Sequence, residues 1–161
     1  MKRAGVIGLG DMGSGLAKNL IANGFETTGF DLSETRLAAL SEMGGAPAAS
    51  VAEVGDASDA VFVMVMNGDQ AKAVILGPDG LVSHLPEGGV VILSATIKTR
   101  EAIEIAAAME GSGRHLVDTP VSGGFPGAQA GTLTMMAAGS PEALDAAKPF
   151  MEAVSASIHR V

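Results

Sequence analysis

The sequence contains no cysteine, which excludes disulfides and any mechanism that runs through a thiolate, and suits a reducing cytoplasmic compartment. It has no tryptophan or tyrosine, and an aromatic content of 3% leaves no stacking platform of the kind that holds single-stranded nucleic acid. Positive charge is scarce. Ten Lys and Arg stand against eighteen Asp and Glu, a formal charge of −8, and the ten are scattered rather than gathered into a stripe. That argues against a nucleic-acid surface. No apolar run reaches membrane-spanning length and the first residues lack the pattern of a secretory signal, so no membrane association is expected. His84, His115 and His159 are isolated in the sequence, no cluster has metal-ligand spacing, and no metal is expected. Internal repeats and low-complexity linkers are absent too.

What is present is a chain of 161 residues, 47% hydrophobic, long enough for one domain with a substantial core. It is organised around Val6-Ile7-Gly8-Leu9-Gly10-Asp11-Met12-Gly13. A short apolar run meets a Gly8-x-Gly10-x-x-Gly13 turn, the spacing of a strand-turn-helix that binds a dinucleotide. The first glycine permits the tight turn, the second lets backbone approach a pyrophosphate, and the third lets the helix lie close on the strand. The helix start offers unpaired N–H groups and the positive end of its dipole. Met12, Leu16 and Leu20 with Ala17 and Ile21 form a helical stripe ending at Asn23-Gly24. A second strand, Phe25 to Phe30, leads to Asp31, twenty-three positions after Gly8, where an acid would meet the adenosine ribose hydroxyls. The competing interpretation is an ordinary glycine-rich turn, with Asp31 merely opening a loop. Asp31 would repel the extra phosphate of NADP, and Arg36 lies already within the next helix, so NAD is expected in preference to NADP.

Further along, Ser33 caps a helix with Leu37, Leu40 and Met43, stopped by Gly44-Gly45. A short strand is expected at 46–49 and a short helix at 51–54. Ala60 to Met66, seven apolar residues in succession, predicts a strand buried on both faces, with Asn67-Gly68-Asp69 turning into a helix to Leu76. Another buried strand, 90–93, ends in Ser94-Ala95-Thr96 and leads to a helix carrying Ala102, Ile103, Ala106 and Met109 as its apolar residues. A strand at 115–119 is cut off by Pro120. Residues 121–127 are expected to form a loop. A strand follows within 131–139, then a helix opened by Pro141 and a last strand at 157–161. The alternation predicts an α/β fold: a doubly wound, mainly parallel sheet of Rossmann type with helices on both faces. Residues 1–161 form one dinucleotide-binding domain, whose end looks like a domain boundary.

Ligands in such a sheet sit outside the carboxyl ends of the strands. Gly8 to Gly13, Asp31, Asn67-Gly68, Ser94-Ala95-Thr96 and the loop Ser122-Gly123-Gly124 therefore converge. Asp118 is expected to hydrogen-bond backbone and shape the following loop rather than act as a catalytic acid. Ser122 lacks a nucleophile elbow and a histidine partner. The pairs Met64/Met66 and Met135/Met136 are expected to fill core.

At these residues the chain resembles the N-terminal domain of the β-hydroxyacid dehydrogenases, the group of 3-hydroxyisobutyrate dehydrogenase, tartronate semialdehyde reductase and 6-phosphogluconate dehydrogenase. Gly8-Leu9-Gly10-Asp11-Met12-Gly13 is similar to the family's cofactor motif. Asp118-Thr119-Pro120-Val121-Ser122-Gly123-Gly124 resembles its substrate-loop motif, with Thr119 where Ala is usual, and Gly131-Thr132-Leu133-Thr134-Met135-Met136 resembles the strand that follows. The resemblance implies that Gly8, Leu9, Gly10, Asp11, Met12, Gly13, Asp31, Met66, Asn67 and Thr96 bind NAD. It also implies that Ser94, Thr96, Ser122, Gly123 and Gly124 bind a small hydroxyacid. Met66-Asn67 stands where many members have Leu-Pro. Ser94-Ala95-Thr96-Ile97 and the last thirty residues look nearest to members acting on four-carbon acid sugars such as threonate. The family's catalytic lysine lies in an α-helical C-terminal domain that also completes an oligomer. None of Lys2, Lys18, Lys72, Lys98 or Lys148 takes its place, so no catalytic residue is expected in residues 1–161 and the fragment alone is expected to be inactive. A non-catalytic NAD-binding or sensing module is the alternative.

Overall fold

The computed structural model describes residues 3–161; Lys2, considered above, lies outside them. The first half runs β1 (Arg3–Ile7), α1 (Asp11–Ala22), β2 (Glu26–Phe30), α2 (Glu34–Glu42), β3 (Ala46–Pro47), α3 (Val51–Asp56), β4 (Ala60–Val63) and α4 (Gly68–Leu76). The second half runs α5 (Leu81–His84), β5 (Val90–Leu93), α6 (Thr99–Met109), β6 (His115–Asp118), β7 (Val121–Ser122), α7 (Gly124–Ala130), β8 (Leu133–Ala137), α8 (Pro141–Val154) and β9 (Ser155–Arg160).

Six strands pair in the order β3-β2-β1-β4-β5-β6, all parallel, so the strand order reverses between β1 and β4. β4 and β5 are buried at every position because helices cover both faces. On one face Val6, Phe62, Ile92 and Val117 pack with Leu16 and Leu20 of α1 and Leu144, Ala147 and Met151 of α8. On the other, Ile7, Val61, Val91 and Leu93 pack with Val54, Ile75 and Ile105. This is the doubly wound α/β fold expected from the alternation. Short polar caps start several of its helices: Ser50 Oγ accepts from Glu53 N at 3.2 Å, and Ser140 Oγ from Ala143 N at 3.1 Å ahead of Pro141. Among the described residues no helix is long and apolar enough to cross a membrane.

Several local expectations are corrected. β4 stops at Val63, where its partner β1 stops at Ile7, and Met66 is 84% exposed rather than core. Met135 is buried, but its neighbour Met136 alternates to the outside of β8, as period-two geometry requires. In α6 the inward stripe is Ala102, Ile105 and Met109, which turns Ile103 and Ala106 outward. Residues 121–127 are not a loop. Val121 and Ser122 pair antiparallel with Met135 and Thr134, and α7 begins at Gly124. The sequence reading did not foresee that β7, β8 and β9 form a separate three-stranded sheet, with β8 and β9 parallel across the α8 crossover.

Candidate functional site

Four of the turns leaving the six-stranded sheet are fixed by one repeated hydrogen bond. The residue after each strand donates its N–H to the last carbonyl of the adjacent strand: Gly8 to Phe30 at 2.9 Å, Met64 to Ile7 at 2.8 Å, Ser94 to Val63 at 3.2 Å and Thr119 to Leu93 at 2.9 Å. The ladder therefore continues one residue past the strands, and the segments that leave them start from a rigid carboxyl edge.

The glycine turn uses its three glycines differently. Gly8 has φ +92°, and a Cβ there would overlap the carbonyl oxygen of Met64. A Cβ on Gly13 would overlap the carbonyl oxygen of Gly8, so α1 lies flush on the turn. Gly10 is open: the nearest atoms to an added Cβ belong to the Arg36 guanidinium, at 3.9 Å. Gly10 is the N-cap of α1 and no side chain among the described residues caps that helix, so its first N–H groups face the opening. Asp11 is exposed in the first turn, and Met12 is half-buried against the core.

Asp31 closes β2 with its carboxylate largely buried. Its Oδ2 accepts from Leu9 N at 2.7 Å and its Oδ1 from Ser33 N at 2.8 Å, which ties the end of β2 to the glycine turn. Arg36 corrects the expectation that its place in α2 keeps it away: NH1 lies 3.6 Å from Asp31 Oδ2. A long side chain in the first turn of a helix points back toward the N-terminus, and the Ser33 cap was the signal that could have revealed this. Leu32, next to Asp31, was also overlooked; it is among the most exposed large apolar residues.

At the end of β4, Asn67 caps α4, its Oδ1 accepting from Gln70 N at 2.9 Å, while Gln70 Oε1 accepts from Met66 N at 2.7 Å. A Cβ on Gly68 would overlap the Glu101 carboxylate, which also accepts from Lys98 N at 3.0 Å. The Met66-Asn67 turn and the Thr96-Lys98 turn are thus packed together. Thr96 is exposed at this edge, as is Ser122 on β7, followed by Gly123 at φ +128° and Gly124 at φ +58°. Ser94 is different: it is 2% exposed, and its hydroxyl has no partner among the described residues. Thr119, one residue beyond the Leu93–Asp118 register pair just as Ser94 is, is fully buried with an equally unpartnered hydroxyl.

Asp118 corrects another expectation. Its main chain, not its carboxylate, makes the backbone pairing, exchanging bonds with Ala138 at 2.9 and 2.8 Å. The carboxyl faces a groove between α6 and the start of α8, and burial pushes it above the usual carboxylate range. Lys98 and Lys148 are exposed. His84, isolated in sequence, lies between Asp56 at 3.0 Å and Asp79 at 3.5 Å; the Asp56 carboxylate, then Asp79, holds its imidazole above the ordinary value.

Residues 3–161 match a family model described as the NAD binding domain of 6-phosphogluconate dehydrogenase. An L-threonate dehydrogenase of Escherichia coli O6:H1 is 39% identical over 158 residues, covering 98% of this chain and 52% of that protein. An NAD-dependent L-serine dehydrogenase of Pseudomonas aeruginosa is 37% identical over 158 residues, with 98% and 53% covered. A crystal structure of a 3-hydroxyisobutyrate dehydrogenase from Salmonella typhimurium superposes with a TM-score of 0.94 at 36% identity, covering 100% of this chain and 56% of that one. The chain spans about half the length of the curated relatives it matches.

Proposed function

The chain belongs to the family of the NAD-binding domain of 6-phosphogluconate dehydrogenase, and on that premise we propose that it is the cofactor-holding part of an oxidoreductase acting on a small β-hydroxyacid. The acid is of the threonate or 3-hydroxyisobutyrate type. The observation that carries this is the turn at Gly10: an uncapped helix N-terminus bordered at Gly10 by the Arg36 guanidinium, in a backbone whose other two glycines admit no side chain.

When bound, NAD supplies the hydride acceptor of the reaction. The chain's own part is to hold and orient. Within the Gly8–Gly13 turn, the N–H groups from Gly10 onward would serve the diphosphate, because Gly8 N and Leu9 N already donate to Phe30 O and Asp31 Oδ2. Asp31 keeps lone pairs for the ribose hydroxyls beyond those used by Leu9 N and Ser33 N, since each carboxylate oxygen accepts more than one bond. Met66 and Asn67 would hold the adenosine part of the cofactor and Thr96 the nicotinamide part. Ser122, Gly123 and Gly124 would orient the acid's carboxylate and hydroxyl, with the buried, unpartnered Ser94 hydroxyl as a further donor. The proton of that hydroxyl goes to a lysine outside residues 1–161, on an α-helical C-terminal domain that also forms a homo-oligomer, so residues 1–161 alone bind without turning over. The cysteine-free sequence suits the cytoplasm.

Calorimetry of the chain with NAD tests the binding half of this proposal, and absence of saturable heat would overturn it. Assay of the intact protein for NAD reduction across a panel including threonate and 3-hydroxyisobutyrate tests the rest. Binding without turnover on any acid would leave a sensing module in its place.

A further inference from the structure

α1, which carries the glycine turn, and α7, which follows Ser122-Gly123, pack closely and are tied by the side chain of Asn19. α7 has only seven residues, among them Gly124, Pro126 and Gly127, a composition that does not sustain a helix in water. Its last carbonyls need partners from elsewhere. The Gly127 oxygen accepts from Gly131 N and, at 2.9 Å, from Thr132 N. The oxygens of Ala128 and Gln129 accept instead from Nδ2 of Asn19 on α1, at 2.8 and 3.1 Å. The same nitrogen reaches Gly15 O at 2.9 Å, one turn back on its own helix, so the amide is clamped between the two. The approach is close on both sides. A Cβ on Gly15 would stand 2.6 Å from the carbonyl carbon of Ala128, and one on Gly131, at φ +72°, would stand 2.7 Å from Asn19 Oδ1.

We propose that Asn19 is a positioning residue that fixes α7, and with it the Ser122–Gly124 segment at its start, relative to the dinucleotide helix, and so sets the separation of the two reactants. This rests on the proposed function, in which α1 holds NAD and residues 122–124 hold the hydroxyacid. The physical need is stringent: reacting atoms must sit about 3–3.5 Å apart, and a misplacement of about 1 Å costs on the order of a hundredfold in rate. Gly123 and Gly124, both at positive φ, connect α7 to β7 through a pair of residues with little steric restraint. β8 holds Ser122 through its pairing with Thr134, but the Gly123-Gly124 link does not by itself hold α7 at one angle. The Asn19 clamp at the far end of α7 does, and one of its acceptors, Gly15 O, lies only two residues beyond Gly13.

Asn19→Asp keeps the side-chain shape and removes both donors. The test is amide hydrogen exchange of the chain with and without NAD. In the wild type, NAD slows exchange both at 11–14 and at 124–131. In N19D, basal exchange at 124–131 rises about tenfold or more and NAD protects only 11–14, with NAD affinity changed less than about threefold. A merely structural role would not move this coupling while sparing affinity. Asn19→Ser gives the same pattern if N19D does not fold. In the intact protein, kcat falls while KM for NAD holds. Unchanged exchange at 124–131 in both variants overturns the proposal, as does NAD protection that still reaches 124–131 in either variant. If the wild type binds no NAD, the proposed function falls and takes the positioning role with it; basal exchange then reports only whether the clamp exists.

Discussion

The Arg36 guanidinium stands 3.6 Å from Asp31 Oδ2 and directly over Gly10, so the acid that would read the adenosine ribose carries its own counter-charge. Removing either partner should shift cofactor preference in opposite directions. Asp31→Ala should weaken NAD more than NADP and also lower Tm, because Leu9 N and Ser33 N lose their acceptor. Arg36→Leu should weaken NADP by about tenfold to a hundredfold, the worth of one charge-assisted bond, and NAD by far less. Calorimetry with both dinucleotides checks this; equal losses in each variant would contradict the assignment.

The glycine turn separates folding from binding. Gly10→Val sets its side chain before the helix start against the Arg36 guanidinium, the end of a flexible side chain that can yield, and should leave the far-UV spectrum intact while abolishing measurable NAD binding. Gly13→Ala drives a methyl into the Gly8 carbonyl and should cost about 3 kcal/mol or more of stability, read from urea unfolding. A Gly13→Ala chain as stable as the wild type would show that α1 does not sit flush on its turn.

His84 predicts a pH window. Its imidazole is held above the ordinary value, first by Asp56 and then by Asp79. A raised folded value means that the stabilisation is fully present below the unfolded value of about 6.5 and is lost as pH rises through the folded value. The Tm difference between wild type and His84→Gln should therefore be largest below pH 6.5, while Asp56 and Asp79 remain ionised, and shrink as pH rises through the raised folded value. A difference that grows with pH would refute the pairing.

Thr119 buries a hydroxyl that has no partner among the described residues. Thr119→Val keeps the shape and removes that polar atom, and should raise unfolding stability by about 1–2 kcal/mol in urea. A loss of that size would show that the hydroxyl is satisfied in solution.

The topology was legible because buried strands and glycine stops are local signals. The seven-residue apolar run at 60–66 announced a central strand, although its length misled: neighbours, not composition, end a strand, and β4 stops where β1 does. The second sheet was not legible, because Val121-Ser122 is too short and too small to show periodicity and pairs only through Met135 and Thr134, supplied by a later segment. In the candidate site, the turn built on Gly8, Gly10 and Gly13 and the place of Asp31 beside it could be read from spacing alone. Arg36 and Asn19 could not be read in the same way. Each acts by reaching back along or across a helix, Asn19 to carbonyls 109 and 110 residues away, and spacing does not encode that reach.

β1 sits at the middle of the six-stranded sheet but is the first strand in the chain, and its β4-side edge pairs with residues 60–63. On a ribosome adding about 5–20 residues per second, that edge waits some ~3–11 s for its partner to be made. During that interval Ala4, Val6 and Ile7 present an apolar strand with open hydrogen-bonding groups, a template for joining other nascent chains. The longest wait between paired strands of this sheet thus falls in its first half, before β4 leaves the ribosome.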